Sequence, residues 1–127
     1  MVSLKFALIA ALGGAIGSAA RYASQATAIA LYGPDFPWGT LFVNVAGCFL
    51  MGIVTGLAVN RSFFGPEIRL FLATGILGGF TTFSAFALDS AFLADRNMQS
   101  SAAYVAASVI VSIAALYFGL WLAKLGA

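Results

Sequence analysis

The side chains best suited to chemistry in this chain are neutral, and they repeat at helical spacing. Tyr104, Ser108 and Ser112 recur every four residues, which sets their hydroxyls on one helix face as a polar track. Thr40, Asn44 and Cys48 follow the same interval, and Asn44 contributes a carboxamide with two donor hydrogens and an acceptor oxygen. Phe80, Phe83 and Phe86 recur every third residue beside Thr81, Thr82 and Ser84. The edge of an aromatic ring carries partial positive charge and can rest against an anion without any formal cation nearby. Donors and ring edges together suit a small, strongly hydrated anion whose water shell must be replaced. Each group also has a plainer use: a serine can bond its own backbone carbonyl, an asparagine can tie two helices together, and a phenylalanine can face lipid.

What is missing narrows the chemistry further. The chain has no His, one Cys and only four carboxylates, Asp35, Glu67, Asp89 and Asp95. It therefore lacks a soft-metal ligand set, a disulfide and a His-based acid and base, and no enzyme is expected. Six scattered basic residues and a net charge of +2 make no patch for a run of phosphates, so nucleic acid is not an expected partner. Asp89 is the only carboxylate well inside an apolar stretch, and the first stretch lacks the buried carboxylate that a small proton-coupled antiporter would use.

The elements that must position these groups follow from composition. Of 127 residues, 62% are hydrophobic and 8% charged, with a mean hydropathy of +1.03; soluble domains carry about a quarter charged residues. A helix needs about 20 apolar residues to cross hydrocarbon, which predicts one all-α integral membrane domain with four spans, at about residues 4–31, 38–59, 68–94 and 100–124. The first stretch has the basic start and small-residue end of a secretory leader but reads as a retained span, because Arg21 would otherwise be unanchored. Loops are expected at Tyr32–Pro37, Asn60–Glu67 and Asp95–Asn97. Gly13 with Gly17, Gly14 with Ser18, and Gly52 with Gly56 are small pairs that permit close helix packing. The third span carries Gly75, Gly78 and Gly79 among hydroxyl residues. Gly costs about 1 kcal/mol against Ala in a helix, so an interruption is expected near residues 78–83. Lys5, Arg61, Arg69 and Lys124 outweigh Arg96 and Arg21 across the membrane only mildly, a weak form of the positive-inside bias. Four helices enclose little interior, so a second copy is expected if anything is to cross.

The segments Gly13–Tyr22, Gly39–Gly47 and Gly78–Phe86 resemble, in order and spacing, the Fluc/CrcB fluoride channels, and the resemblance covers essentially the whole chain. It implies an antiparallel homodimer of dual topology in the bilayer of the bacterial inner membrane, with two pores that export fluoride passively and give fluoride resistance. It further implies a fluoride path along Asn44, Phe83, Ser84, Phe86, Tyr104, Ser108 and Ser112, and a structural Na+ at the dimer centre held by the backbone carbonyls of Gly78 and Thr82. Arg21 matches a family arginine and reads either as an interfacial anchor or as a vestibule charge. The chain departs from the family at Ala85, where Thr is common, and at Asp89, where Glu is usual. A proton-coupled small-cation exporter and a non-transporting assembly subunit are the rival readings.

Overall fold

The computed structural model describes residues 1–61 and 64–126. Ser62 and Phe63 of the second expected loop, and the side chain of Arg61 that entered the charge count, lie outside the described residues. Every regular element described is helical: α1 (Leu4–Tyr32), α2 (Trp38–Arg61), α3 (Pro66–Arg69), a π-helical segment (Leu70–Leu77), α4 (Gly78–Phe80), α5 (Phe83–Arg96) and α6 (Met98–Leu125). Four stretches, Leu4–Tyr32, Trp38–Asn60, Pro66–Arg96 and Met98–Leu125, are long and apolar enough to cross a membrane.

Local chemistry sets the ends. Ser3 caps α1 by accepting from the Phe6 amide, and Gly33 stops it at φ 83°, a backbone conformation that side-chain-bearing residues rarely adopt. The loop that follows folds back over the bundle. Phe36 sits edge-on to Tyr104, with ring centroids 5.5 Å apart, and Arg96 reaches across to the Asp35 carbonyl. Pro66 starts α3 at a position where its missing N–H costs nothing. Between α5 and α6 a single residue suffices, because the Asn97 carboxamide oxygen accepts from both the Gln99 and Ser100 amides.

Packing depends on close backbone approach more than on large side chains. α1 lies against the π-helical segment and α4, while α2 lies against α6. A Cβ on Gly13 would come within 2.6 Å of the Phe71 carbonyl oxygen. Where α2 crosses α6, a Cβ on Gly119 would run into the Phe49 carbonyl. Lipid tails are as apolar as Leu, so contact of this kind, rather than hydrophobic burial, holds membrane helices together. Among the described residues only Val43 and Tyr104 are large side chains with no exposure, whereas Leu12, Ile16, Ile110 and Trp121 point outward.

Candidate functional site

The third spanning stretch changes character along its length. Leu70–Leu77 winds with the wider turn of a π-helix, and the Gly78 amide reaches back five residues to the Ala73 carbonyl. α4 lasts only to Phe80; Thr81 (φ −81°, ψ 158°) and Thr82 (φ −153°, ψ 117°) are extended, and α5 resumes at Phe83. Two non-helical residues in a span leave backbone groups that hydrocarbon cannot satisfy. Side chains from other helices supply the partners.

Asn44 on α2 does the largest share. Its Nδ2 donates to the Thr82 carbonyl at 3.0 Å while its Oδ1 accepts from the Thr82 amide at 2.7 Å. This two-point clasp replaces the bond that the Thr82 amide would make to the Gly78 carbonyl in a continuous helix. Arg21 on α1 donates from Nε to the Gly79 carbonyl at 3.0 Å, placing a cation at the negative end of α4. Thr82 then restarts the helix, its hydroxyl accepting from the Ala85 amide at 3.1 Å. The Thr81 hydroxyl turns back to the Leu77 carbonyl at 2.9 Å.

Beside this junction lies a cavity of about 280 Å³. Asn44, Phe83, Phe86, Ser108 and Ser112 all line it, together with Cys48 and Thr82. No charged residue is among its lining residues. Ser108 is 5% exposed, and neither its hydroxyl oxygen nor that of Ser112 has a hydrogen-bond partner in the protein. That is unusual, because a buried polar atom without a partner costs about 1–3 kcal/mol. The two serines therefore do not follow the ordinary pattern of bonding back to their own helix, as Ser90 does to the Phe86 carbonyl. Phe83 and Phe86 meet edge-to-face with centroids 5.4 Å apart. Phe86 is 8% exposed and Phe83 79%, so one ring belongs to the interior and the other stands on the outer surface of the subunit.

Two of the residues picked out by the sequence sit elsewhere. Tyr104 is fully buried beyond Phe86, its ring tilted on that of Phe86 at 5.4 Å, and its hydroxyl donates to Asp89 Oδ2 at 3.2 Å. Ser84 lies outside the cavity lining, its Oγ 3.4 Å from the Thr82 hydroxyl. Gly78 opens α4, Thr82 is the second residue of the interruption, and Arg21 is tied to the Gly79 carbonyl. Sequence reasoning missed the π-helical turns and the Gln25 to Thr40 bond, 3.1 Å between Nε2 and Oγ1, which joins α1 to α2. A Gln and a Thr inside apolar stretches were the available signal, since each needs a partner there.

Four long apolar helical stretches, three of which line a cavity without charged residues, define a class: a small multi-pass helical membrane protein. The chain belongs to the CrcB family, since the family described as CrcB-like protein, Camphor Resistance (CrcB), matches residues 8–120. It is 53% identical over 118 residues to the fluoride-specific ion channel FluC of Chelativorans sp. (strain BNC1), covering 92% of this chain and 94% of that one. It is 50% identical over 117 residues to the protein of the same name from Agrobacterium fabrum, covering 91% and 94% respectively. The Nitrobacter winogradskyi channel of that name is 47% identical over 120 residues, 94% of this chain and 95% of that one. These relatives are named as ion channels, and the family is not one of enzymes. Four spanning helices and bacterial channel relatives make the chain a multi-pass protein of the bacterial inner membrane.

Proposed function

We propose that this protein is a passive, fluoride-selective channel that lets fluoride leave the cytoplasm and so confers resistance to it. The observation that carries the reading is the pair of buried, unpartnered hydroxyls, Ser108 and Ser112, facing the cavity that Phe83 and Phe86 also line. Fluoride is small and accepts hydrogen bonds strongly, so its hydration is replaced by short donors placed close together. A hydroxyl held without a protein partner has its hydrogen available for this, and the remaining amide hydrogen of Asn44 is a further donor on the same wall. The ring edges of Phe83 and Phe86 add weak positive potential on the other side. A neutral lining also avoids trapping the ion, since conduction needs binding that is firm enough to enter and weak enough to leave.

A second, antiparallel copy completes this reading. Phe83 is exposed on a single subunit, and a partner across that face would enclose its ring and close the path. The weak positive-inside bias permits insertion in both orientations. The same copy would complete a Na+ site. With the Thr82 amide diverted to Asn44, the Gly78 carbonyl lacks its helical donor; the Thr82 carbonyl accepts from Asn44 Nδ2 and, as the N-cap of α5, from the first amide of that helix. Carbonyls freed by an interrupted helix are the ligands that Na+ favours in membranes, so Gly78 fits the ion, whereas Thr82 would join it only by sharing a carbonyl that is already bonded. Gly78 and Thr82 from both copies would hold the ion, whose charge would bind the two interruptions together. Arg21, fixed on the Gly79 carbonyl, belongs to that scaffold and contributes positive potential near the path.

Reconstituted liposomes loaded with fluoride or chloride test the function directly. Fluoride is expected to leave on a pathway that retains chloride. Equal efflux of both anions would overturn selectivity, and efflux driven only by a pH gradient and lost in Asp89→Asn would point to a proton-coupled exporter instead. A folded protein with no efflux at all would leave only an assembly role.

A further inference from the structure

The cavity wall carries one group that the channel reading does not use. Cys48 is the only cysteine of the chain, half-buried and one helical turn from Asn44 on α2, and it lines the same cavity as Ser108 and Ser112. Ser108 is 95% buried by its 5% exposure, carries no internal hydrogen bond and borders the same space. A buried donor left without a protein partner marks this as a place built to receive something from outside the fold.

We propose that Cys48 is a modification site on the cavity wall, reached through the mouth of that cavity by small, uncharged thiol-directed electrophiles, and that capping it closes the anion path. The chemistry is thiol exchange. With methyl methanethiosulfonate, Cys48 Sγ attacks the sulfenyl sulfur as its thiolate, the new disulfide forms, the S–SO2 bond breaks, methanesulfinate leaves and the thiol proton passes to water. The thiomethyl cap fills roughly 60 Å³, about two waters at ~30 Å³ each, in a cavity of about 280 Å³. It also sets an aprotic methyl beside the Ser112 hydroxyl, where an ion needs donors. The closure is reversible, because a reducing thiol attacks the mixed disulfide, releases methanethiol and returns the free Cys48 thiol.

The second half of this proposal rests on the channel reading; the first half does not, and the full-length protein in liposomes separates them. Treated with methyl methanethiosulfonate, the wild-type chain is expected to gain one thiomethyl group by intact mass and to lose fluoride efflux about tenfold or more, with recovery in dithiothreitol. Cys48→Ser is expected to gain no mass, and its efflux, whatever its basal rate, to be the same with and without reagent. Labelling that leaves wild-type efflux intact would show that the thiol opens to lipid rather than to the path, and would overturn the proposal. So would a folded chain that resists the reagent while the same chain unfolded in detergent reacts. Ser112→Phe supplies an arm that needs no fluoride flux: by filling the cavity it is expected to slow labelling about tenfold, and unchanged labelling would refute the cavity route. Ile113→Trp, filling the same cavity from another lining position, repeats that arm should Ser112→Phe fail to fold.

Discussion

Replacing Asn44 with alanine removes both hydrogen bonds that hold Thr82 out of the helix, at 2.7 and 3.0 Å. The Thr82 amide, on a residue 9% exposed, is left without a partner, while the Thr82 carbonyl keeps only the first amide of α5. At about 1–3 kcal/mol for the orphaned amide and about 1 kcal/mol for the second bond, the direct cost is about 2–4 kcal/mol. Part of it is recoverable, because the freed Thr82 amide can return to the Gly78 carbonyl and extend α4 by a turn. That relaxation restores about 1 kcal/mol but erases the interruption, rotates Phe83 and takes the Gly78 carbonyl away from any ion. The expected result is a destabilisation of about 1–3 kcal/mol together with loss of fluoride efflux. The first is measured by detergent-mediated unfolding of the purified protein, the second in fluoride-loaded liposomes. Asn44→Asp sharpens the test. The carboxylate still accepts from the Thr82 amide, but it presents a second oxygen to the Thr82 carbonyl and leaves that acceptor opposed by negative charge. It is expected to lose efflux as fully as the alanine variant does. Stability within about 0.5 kcal/mol of wild type, a typical surface-substitution effect, combined with normal efflux in Asn44→Ala, would refute the clasp as the origin of the interruption.

Three further outcomes follow from the same geometry. Phe83→Ile and Phe86→Ile are expected to abolish or sharply reduce fluoride efflux while leaving the gel-filtration profile unchanged, since isoleucine keeps apolar bulk but has no positive ring edge; unchanged efflux would remove both rings from the path. The single variant Ser108→Ala is expected to lose little flux because Ser112 remains on the wall, whereas the Ser108→Ala, Ser112→Ala double variant is expected to lose flux and to be equally or more stable, by up to about 1–3 kcal/mol, because two unpartnered hydroxyls are gone. A double variant that is less stable would show that the hydroxyls have structural partners. Gly119→Ala is expected to destabilise the protein by about 1–3 kcal/mol through overpacking against the Phe49 carbonyl, read as a lower unfolding midpoint, and an unchanged midpoint would show that α2 and α6 separate freely.

How much of this was legible in the sequence divides along a physical line. Composition and apolar length predict four long helices because the bilayer enforces them, and four such stretches are present. Helix-face spacing puts Asn44 with Cys48 on one helix and Ser108 with Ser112 on another, since a four-residue interval survives wherever the helix is regular; that the two pairs line one cavity comes from the fold. The same interval grouped Tyr104 with the serines, yet Tyr104 turns its hydroxyl to Asp89. A tyrosine hydroxyl sits well beyond the Cβ positions that spacing predicts, so its long side chain reached a partner on α5 that no periodicity reports. The pairing of Asn44 with Thr82 and of Arg21 with Gly79 spans 38 and 58 residues of sequence. Only the fold brings such partners together, and their types say merely that each needs one.

The distribution of satisfied and unsatisfied groups carries the deeper lesson about how a chain with 8% charged residues handles an anion. Around the interruption, the Thr82 amide and carbonyl and the Gly79 carbonyl are each matched by a side chain from another helix, and Thr81 and Thr82 spend their hydroxyls on local backbone. A few ångströms away, on the regular helix α6, two hydroxyls are left without any partner. The contrast argues that the orphaned pair is not a lapse in packing: a fold that supplies partners for irregular backbone had no difficulty supplying them for two serines on a straight helix. Leaving a donor unpaired costs stability, so its persistence favours a transient acceptor arriving from solution. A neutral donor pair of this kind also explains the absence of Lys and Arg from the cavity lining, because a full positive charge in so dry a place would hold a small anion too tightly to release it.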